Sequence, residues 1–238
     1  MVENISINAK VKAFIFDVDG TLYQQNKLHR LIFTRIMKYL FTNPVSAIEA
    51  IVSILSYRYA LKKLRSMKSI DGVLADKQLE IASNICFIKL DTIKNHITRW
   101  MEIEPLNIFK NIKYPFSDLF FSEVKKRGYK LAVLSDYPIN NKLEALGWKN
   151  LFDLELSSQD ANINRLKPDP LGINHIIKSF GLTPEEVIYI GDRYEIDAKT
   201  AFNAGVDCII IGKNKYFKFN KKCNKRSYLD MCNALNNV

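Results

Sequence analysis

A chain of 238 residues with 47% hydrophobic and 25% charged residues has enough apolar material for one large domain, or for a core domain with an insertion, and is not wholly disordered. Its 35 Lys and Arg against 25 Asp and Glu give a formal charge of +10, and its four cysteines (Cys86, Cys208, Cys223, Cys232) lack the paired spacing of a metal-binding module. No apolar run approaches the roughly 18 residues of a membrane span, and "MVENISINAK" lacks the basic-then-apolar order of a signal peptide, so a cytoplasmic location with reduced thiols is expected.

The first element is "VKAFIF", a short, nearly continuous apolar run rich in β-formers, which predicts a strand covered on both faces. It ends on Asp17 and Asp19 and turns at Gly20. From Lys27 to Met101 the strand pattern disappears. "LHRLIFTRIMKYLF", "PVSAIEAIVSILSYRYALKKL" and "KQLEIASNICFIKLDTIKNHITRWM" have helical spacing, with breaks at Pro44 and "SIDG". The expected organisation is a core of residues 1–26 and 102–238 interrupted by an all-helical insertion, residues 27–101. The stripe Phe33, Tyr39, Phe41, Tyr57 and Tyr59 in that insertion fits the core of a helical bundle more readily than a membrane-lying face.

Beyond the insertion, "YPFSDLFFSEVKKRG" reads as a helix with Pro115 near its start and Gly128 past its end. The strand "YKLAVLS" follows and delivers Ser135 and Asp136. Lys167 lies in the loop "RLKPDP" before a helix. "TPEEV" offers Thr183 as N-cap and Pro184 as first helical residue. The strand "VIYIGD" brings Gly191 and Asp192, and "EIDAKTAFNAG" reads as a helix that carries Asp197 and closes on Gly205. "DCIIIG" is a further strand, and the tail ends in one short helix. Strands alternating with helices imply right-handed crossovers, hence a doubly wound parallel sheet with helices on both faces.

The positive charge is concentrated. Lys27–Met101 carries 13 basic and 5 acidic residues, Lys213–Arg226 carries seven basic and none acidic, and the rest of the chain is net acidic. Such surfaces suit phosphorylated substrates, nucleic acid or an anionic membrane, although charge runs are more commonly solvated faces.

In open parallel sheets ligands bind beyond the carboxyl ends of the strands. Four carboxylates (Asp17, Asp19, Asp192, Asp197), the Ser135 hydroxyl and the Lys167 ammonium converge on that rim. Carboxylates at close range repel, and a hard divalent cation such as Mg2+ neutralises them through oxygen ligands. A spacing of two lets Asp17 and Asp19 point to one side of the backbone, one as nucleophile and metal ligand, the other exchanging a proton. Backbone amides freed at Gly20 suit an anion. Alone, an acidic pair is often a solvated turn, and a lone serine or lysine is more often structural. Their joint occurrence at successive strand ends points to chemistry.

In this order, "FDVDGTL", "LAVLSD", "LKPDP" and "YIGDRYEID" resemble the four motifs of the haloacid dehalogenase superfamily, over about Lys12 to Asp19 and then Tyr114 to Gly212. The insertion is similar to the helical cap of one branch, and the whole looks most like the phosphoglycolate phosphatase group. The resemblance implies a Rossmann-like core with an inserted helical cap and a Mg2+-dependent hydrolysis of a small phosphorylated metabolite through an aspartyl-phosphate. It makes Asp17 the nucleophile and Asp19 the proton shuttle. Thr21, Ser135 and Lys167 would hold the phosphoryl group, and Mg2+ would sit on the Asp17 carboxylate, the Asp19 main-chain carbonyl and Asp192, with Asp197 assisting. Gly20, Asp136 and Gly191 would support the site. Asp136, with Tyr137 and Pro138, either shapes the rim or starts a helix. An acid at position 19 separates this chain from the dehalogenase branch, which carries tyrosine there.

Arg193, Tyr194 and the asparagine-rich loop before Lys167 depart from many relatives and bear on leaving-group preference. Lys27, Arg30, Lys62, Lys63 or Arg65 could meet a second anionic group of the substrate, although each reads more simply as a solvent-facing residue. Two rivals share these features: a phosphosugar mutase, and a non-catalytic protein binding nucleic acid or an anionic surface. No specific nucleic-acid partner is expected.

Overall fold

In the computed structural model the described residues are 7, 9–67, 71–139, 141–211 and 223–236. Most of the basic tail over Lys213–Arg226, most of "MVENISINAK" and the start of "SIDG" lie outside them. The first strand, β1 (Ala13–Phe16), is buried at every residue, as its unbroken apolar run requires. Helices α1 (Gln25–Leu40), α2 (Pro44–Ser66), α3 (Leu74–Cys86), α4 (Leu90–Ile97) and α5 (Leu106–Phe109) follow without an intervening strand. Next come α6 (Ser117–Lys126), β2 (Lys130–Ser135), α7 (Lys142–Ala145), β3 (Leu154–Ser157) and α8 (Leu171–Phe180). The chain continues through β4 (Val187–Gly191), α9 (Lys199–Asn203), β5 (Asp207–Ile210), β6 (Cys223–Lys225) and α10 (Tyr228–Leu235).

The six strands among the described residues form one sheet in the order β3-β2-β1-β4-β5-β6, and every neighbouring pair is parallel. The sheet grows from β1 to β2 and β3 on one side, then restarts at β4 on the other. The switch point of this Rossmann-type order, where ligands bind, lies between β1 and β4. Side chains of β1 alternate between two cores. Ala13 and Ile15 join a cluster with Ile173 and Ile176 of α8 and Ala201 of α9. Phe14 meets Phe120 of α6 at a ring separation of 5.6 Å, and Phe16 meets Phe121 at 5.1 Å. Burying each such ring contributes about 1.5–3 kcal/mol.

The chain divides into two compact units: Met1–Gln24, Lys113–Ile139 and Trp148–Val238 hold the sheet, and Gln25–Ile112 with Asn140–Gly147 form a helical unit. Within the helical unit, α1 and α2 run antiparallel. Tyr39 Oη donates to Ser46 Oγ at 3.4 Å, and Arg58 Nη2 lies 3.0 Å from His29 Nε2. Small residues on the buried side of α2 (Ala47, Ala50, Ser53, Ala60) let neighbouring helices approach, and Gln78 Nε2 of α3 donates to the Tyr57 carbonyl at 2.9 Å.

Five readings of the sequence change. The stretch beginning "KQLEIASNIC" is two helices, because Phe87 adopts a left-handed conformation (φ 56°) and its N–H closes α3 on the Ser83 carbonyl. "TPEEV" keeps Thr183 as N-cap and Pro184 as first residue, but is a single 3₁₀ turn, Pro184–Glu186, since β4 begins at once at Val187; the Glu186 carboxylate accepts the Thr183 N–H at 2.8 Å. Pro115 lies outside α6, which starts at Ser117 after Phe116 in a left-handed conformation, and "EIDAKTAFNAG" opens with a π-helical turn, Tyr194–Ala198. In the aromatic stripe only Tyr57 is buried; Tyr39 is half-buried, while Phe33, Phe41 and Tyr59 are exposed. Two residues on a helix are about 200° apart, so Tyr57 and Tyr59 cannot share a face. The strands β3 and β6 were not legible, being four and three residues long with polar residues in each.

Candidate active site

Asp17 directly follows β1, and its N–H still bonds across the switch point to the Ile190 carbonyl of β4 at 2.8 Å. Its carboxylate is buried. Oδ1 accepts from Lys167 Nζ at 2.5 Å and Oδ2 from Thr21 Oγ1 at 3.0 Å. The Thr21 carbonyl is held in turn by Tyr228 Oη of α10 at 3.1 Å. Asp19 is half-buried and accepts a short hydrogen bond from Tyr23 Oη. Both acids lie past the last residue of β1, and each has its own partner. Between them and Thr21, Gly20 adopts φ +102°, and a Cβ there would fall 2.3 Å from Asp192 Oδ2. Only glycine lets this turn and Asp192 approach so closely.

Lys167 is fully buried, and its ammonium has three donors. They reach Asp17 Oδ1 at 2.5 Å, Asp197 Oδ1 at 2.7 Å and Tyr189 Oη at 3.2 Å. Its backbone N–H donates to Asp136 Oδ1 at 3.1 Å, and the Asp136 carbonyl accepts from Gln159 Nε2 at 3.0 Å. Asp136 therefore anchors the Lys167 loop and starts no helix. Asp197 Oδ2 accepts the N–H groups of Asp192 (3.2 Å) and Arg193 (3.0 Å). A Cβ at Gly191 would collide with Asp197 at 2.3 Å, so that position too requires glycine. Ser135 ends β2 with its Oγ accepting from the Tyr137 N–H at 3.1 Å.

Asp17, Asp192 and Asp197 each place a carboxylate oxygen within 4.8 Å of the others. Asp192 Oδ1 is buried and has no hydrogen-bond partner among the described residues; Arg193 Nε stands 3.7 Å away. An all-oxygen donor set with an unsatisfied buried oxygen fits a hard divalent cation.

The electrostatics match this crowding. Burial, reinforced by Asp17 and Asp197, pushes the Asp192 carboxyl up to about 8. Burial likewise raises Asp17 to about 6, with Lys167 opposing and Asp197 adding to the rise. Burial also acts to raise Asp197, but Lys167 and Arg193 outweigh it and hold this carboxyl below its ordinary range. Lys167 would be depressed by burial alone, yet Asp17 and Asp197 keep it well above the ordinary lysine value, hence cationic.

Of the residues singled out by the motifs, these contacts bring together Asp17, Thr21, Asp136, Lys167, Asp192 and Asp197, while Asp19 and Ser135 stand at the carboxyl ends of β1 and β2 with partners of their own. Tyr189, Tyr228 and Gln159 were missed. A tyrosine inside the aliphatic run "VIYIG" was a usable signal for the first; the other two act through tertiary contacts that leave no local pattern.

The model of the haloacid dehalogenase-like hydrolases matches residues 11–205 of the chain. A glyceraldehyde 3-phosphate phosphatase from Methanothermobacter thermautotrophicus is 25% identical over 211 residues, covering 84% of this chain and 85% of that protein. A phosphoglycolate phosphatase from Pasteurella multocida is 29% identical over 113 residues, 46% of this chain and 48% of its own length. Among solved structures, a HAD phosphatase from Thermococcus onnurineus shares the fold at a TM-score of 0.59 and 19% identity, over 94% of this chain and 98% of that one. A parallel α/β sheet with an acidic switch point and an inserted helical unit thus defines a hydrolase of known architecture. The chain belongs to the haloacid dehalogenase-like hydrolase family.

Proposed function

We propose that the protein is a Mg2+-dependent phosphomonoesterase that hydrolyses a small phosphorylated metabolite through an aspartyl-phosphate on Asp17. The observation that carries this reading is the buried Asp17 carboxylate at the switch point, oriented by Lys167 and Thr21 beside two further acids. Phosphoryl transfer needs positioning and charge stabilisation more than covalent machinery, and this rim supplies both. The names of the relatives, which specify phosphatases of glyceraldehyde 3-phosphate, phosphoglycolate and phosphoserine, support a substrate of that size.

In the first half-reaction an oxygen of Asp17 attacks phosphorus in line and the ester P–O bond breaks. Asp19, oriented by Tyr23, gives its proton to the leaving alcohol. In the second, Asp19 takes a proton from water as that water attacks the aspartyl-phosphate, releasing phosphate and restoring Asp17. Lys167, Thr21 and Ser135 hold the phosphoryl oxygens. All three Lys167 donors are engaged within the protein, so the ammonium exchanges one acceptor for a phosphoryl oxygen when Asp17 turns to phosphorus. Bound Mg2+, held by Asp17, Asp192 and the Asp19 main-chain carbonyl with Asp197 assisting, would offset the charge of the phosphoryl group. Asp136, Gly20 and Gly191 keep these groups in place.

The test is hydrolysis of an activated aryl phosphate with Mg2+ and with chelator. Asp17→Asn should abolish the Mg2+-dependent rate with its circular dichroism unchanged; undiminished turnover would remove the nucleophile assignment. Phosphate release from simple esters without a sugar bisphosphate would separate a phosphatase from a mutase, and a panel of phosphometabolites would then narrow the substrate.

A further inference from the structure

The helical unit carries a feature that hydrolysis does not use. Beginning at the corner before α2 and running along it, Phe41, Val45, Ile48, Leu55 and Tyr59 are 90, 71, 56, 62 and 58% exposed. On α2 the spacing of 3, 7 and 4 residues places Val45, Ile48, Leu55 and Tyr59 along one line of the helix, about 20 Å long, with the half-buried Val52 between them. Single exposed apolar residues are ordinary, whereas an unbroken line of them marks an interaction surface. The opposite side of α2 is already committed to its neighbours through Ala47, Ala50, Ser53, Tyr57 and Ala60.

Charge identifies what the line meets. Glu49 is the sole acid in α2, while Arg58, Lys62, Lys63 and Arg65 lie in its last nine residues. Arg58, Lys62 and Lys63 are exposed, and Lys62 and Lys63 form no ion pair among the described residues. Lys62 continues the apolar line at the next helical step. The segment Lys27–Met101 holds 13 basic and 5 acidic residues, so a second copy of the chain would bring like charges together. Apolar and aromatic side chains in line, followed by cations on flexible stems, suit a bilayer surface bearing anionic headgroups. The apolar residues enter the headgroup boundary and the lysines remain among the phosphates. No helix is long and apolar enough to cross a membrane, so such a contact lies along the surface.

We propose that the exposed face of α2, from Phe41 to Lys63, docks the protein on an anionic phospholipid bilayer. This inference is independent of the chemistry assigned to Asp17, and binding reads it without any substrate. The full chain should co-float with phosphatidylcholine vesicles containing phosphatidylglycerol and remain free of pure phosphatidylcholine vesicles, with release as salt is raised. Leu55→Ser with Tyr59→Ser, and separately Lys62→Glu with Lys63→Glu, should each weaken the partitioning about tenfold. The Leu55, Tyr59 double variant should keep the wild-type rate on a soluble aryl phosphate, which also shows that it folds. The proposal fails if the wild type does not bind the anionic vesicles at low salt, or if both double variants bind as it does. It also fails if sedimentation reveals a dimer that the Leu55, Tyr59 variant dissociates, because the face then belongs to a second copy.

Discussion

The rim at the switch point and the outer face of α2 break the usual partition of residues in opposite ways. At the rim, charge is buried: Lys167, Asp17 and Asp197 are almost fully enclosed, and a buried oxygen of Asp192 has no hydrogen-bond partner among the described residues. On α2, apolar surface is left in water at Val45, Ile48, Leu55 and Tyr59. Neither arrangement is the one that stabilises a lone chain most, since buried ion pairs return little of their desolvation cost and exposed apolar area returns nothing. On the proposals above, each anomaly has a partner outside the chain: a cation and a phosphoryl group at the rim, an anionic surface at α2.

The difference can be broken at its strongest point first. Asp17→Asn should lower Mg2+-dependent turnover on the order of a thousandfold or more, measured as initial rates, because it removes the carboxylate that attacks phosphorus in the proposed mechanism. Next comes Lys167→Met. It leaves Asp17 and Asp197 facing each other in a dry site, and urea denaturation should report a loss of about 3–5 kcal/mol, together with lost turnover. Gly20→Ala pushes a methyl to within 2.3 Å of Asp192 Oδ2. It should raise the Mg2+ concentration needed for half-maximal activity about tenfold, as changes behind a metal site do.

A pH series sharpens the contrast further. In the metal-free protein the folded values of Asp17 and Asp192, about 6 and about 8, lie above the ordinary carboxylate value of 3.8. The native state therefore holds more protons than the unfolded state between those limits, and stability should fall as pH rises through 6 and 8. Asp197 works in the reverse sense, but its depressed value acts only in acid, outside this window. In the proposed site Mg2+ would bind the ionised carboxylates, so the rise in Tm on adding Mg2+ should be larger at pH 8 than at pH 6. Equal or smaller protection at pH 8 would contradict the proposed ligand set. The smallest effect belongs to α2: Leu55→Ser should change stability by no more than about 0.5 kcal/mol, because its side chain is already in water.

Sequence carried the rim further than it carried the helical unit, for physical reasons. A buried parallel strand must be apolar throughout and must end where the ligand binds, so "KAFIFDVDG", "LAVLSD" and "VIYIGD" reveal both element and site in a few contiguous residues. The glycines at 20 and 191 are likewise dictated by the carboxylates beside them. The helical unit offers only periodicity. That pattern located α1 and α2 but not the break at Phe87, whose left-handed backbone has no residue signature, nor which aromatic residues face inward. Tyr189 and Tyr228 reach the site through contacts 22 and 207 residues apart in sequence, beyond any local pattern.

The most direct measurement is covalent trapping. The protein is mixed with a radiolabelled phosphoester and Mg2+, quenched in acid, digested and mapped by mass spectrometry. Transient label on the peptide carrying Asp17, accumulating in Asp19→Asn and absent from Asp17→Asn, is the result that nucleophilic catalysis by Asp17 requires. Turnover with no label on Asp17 in either the wild type or the Asp19→Asn variant would contradict it.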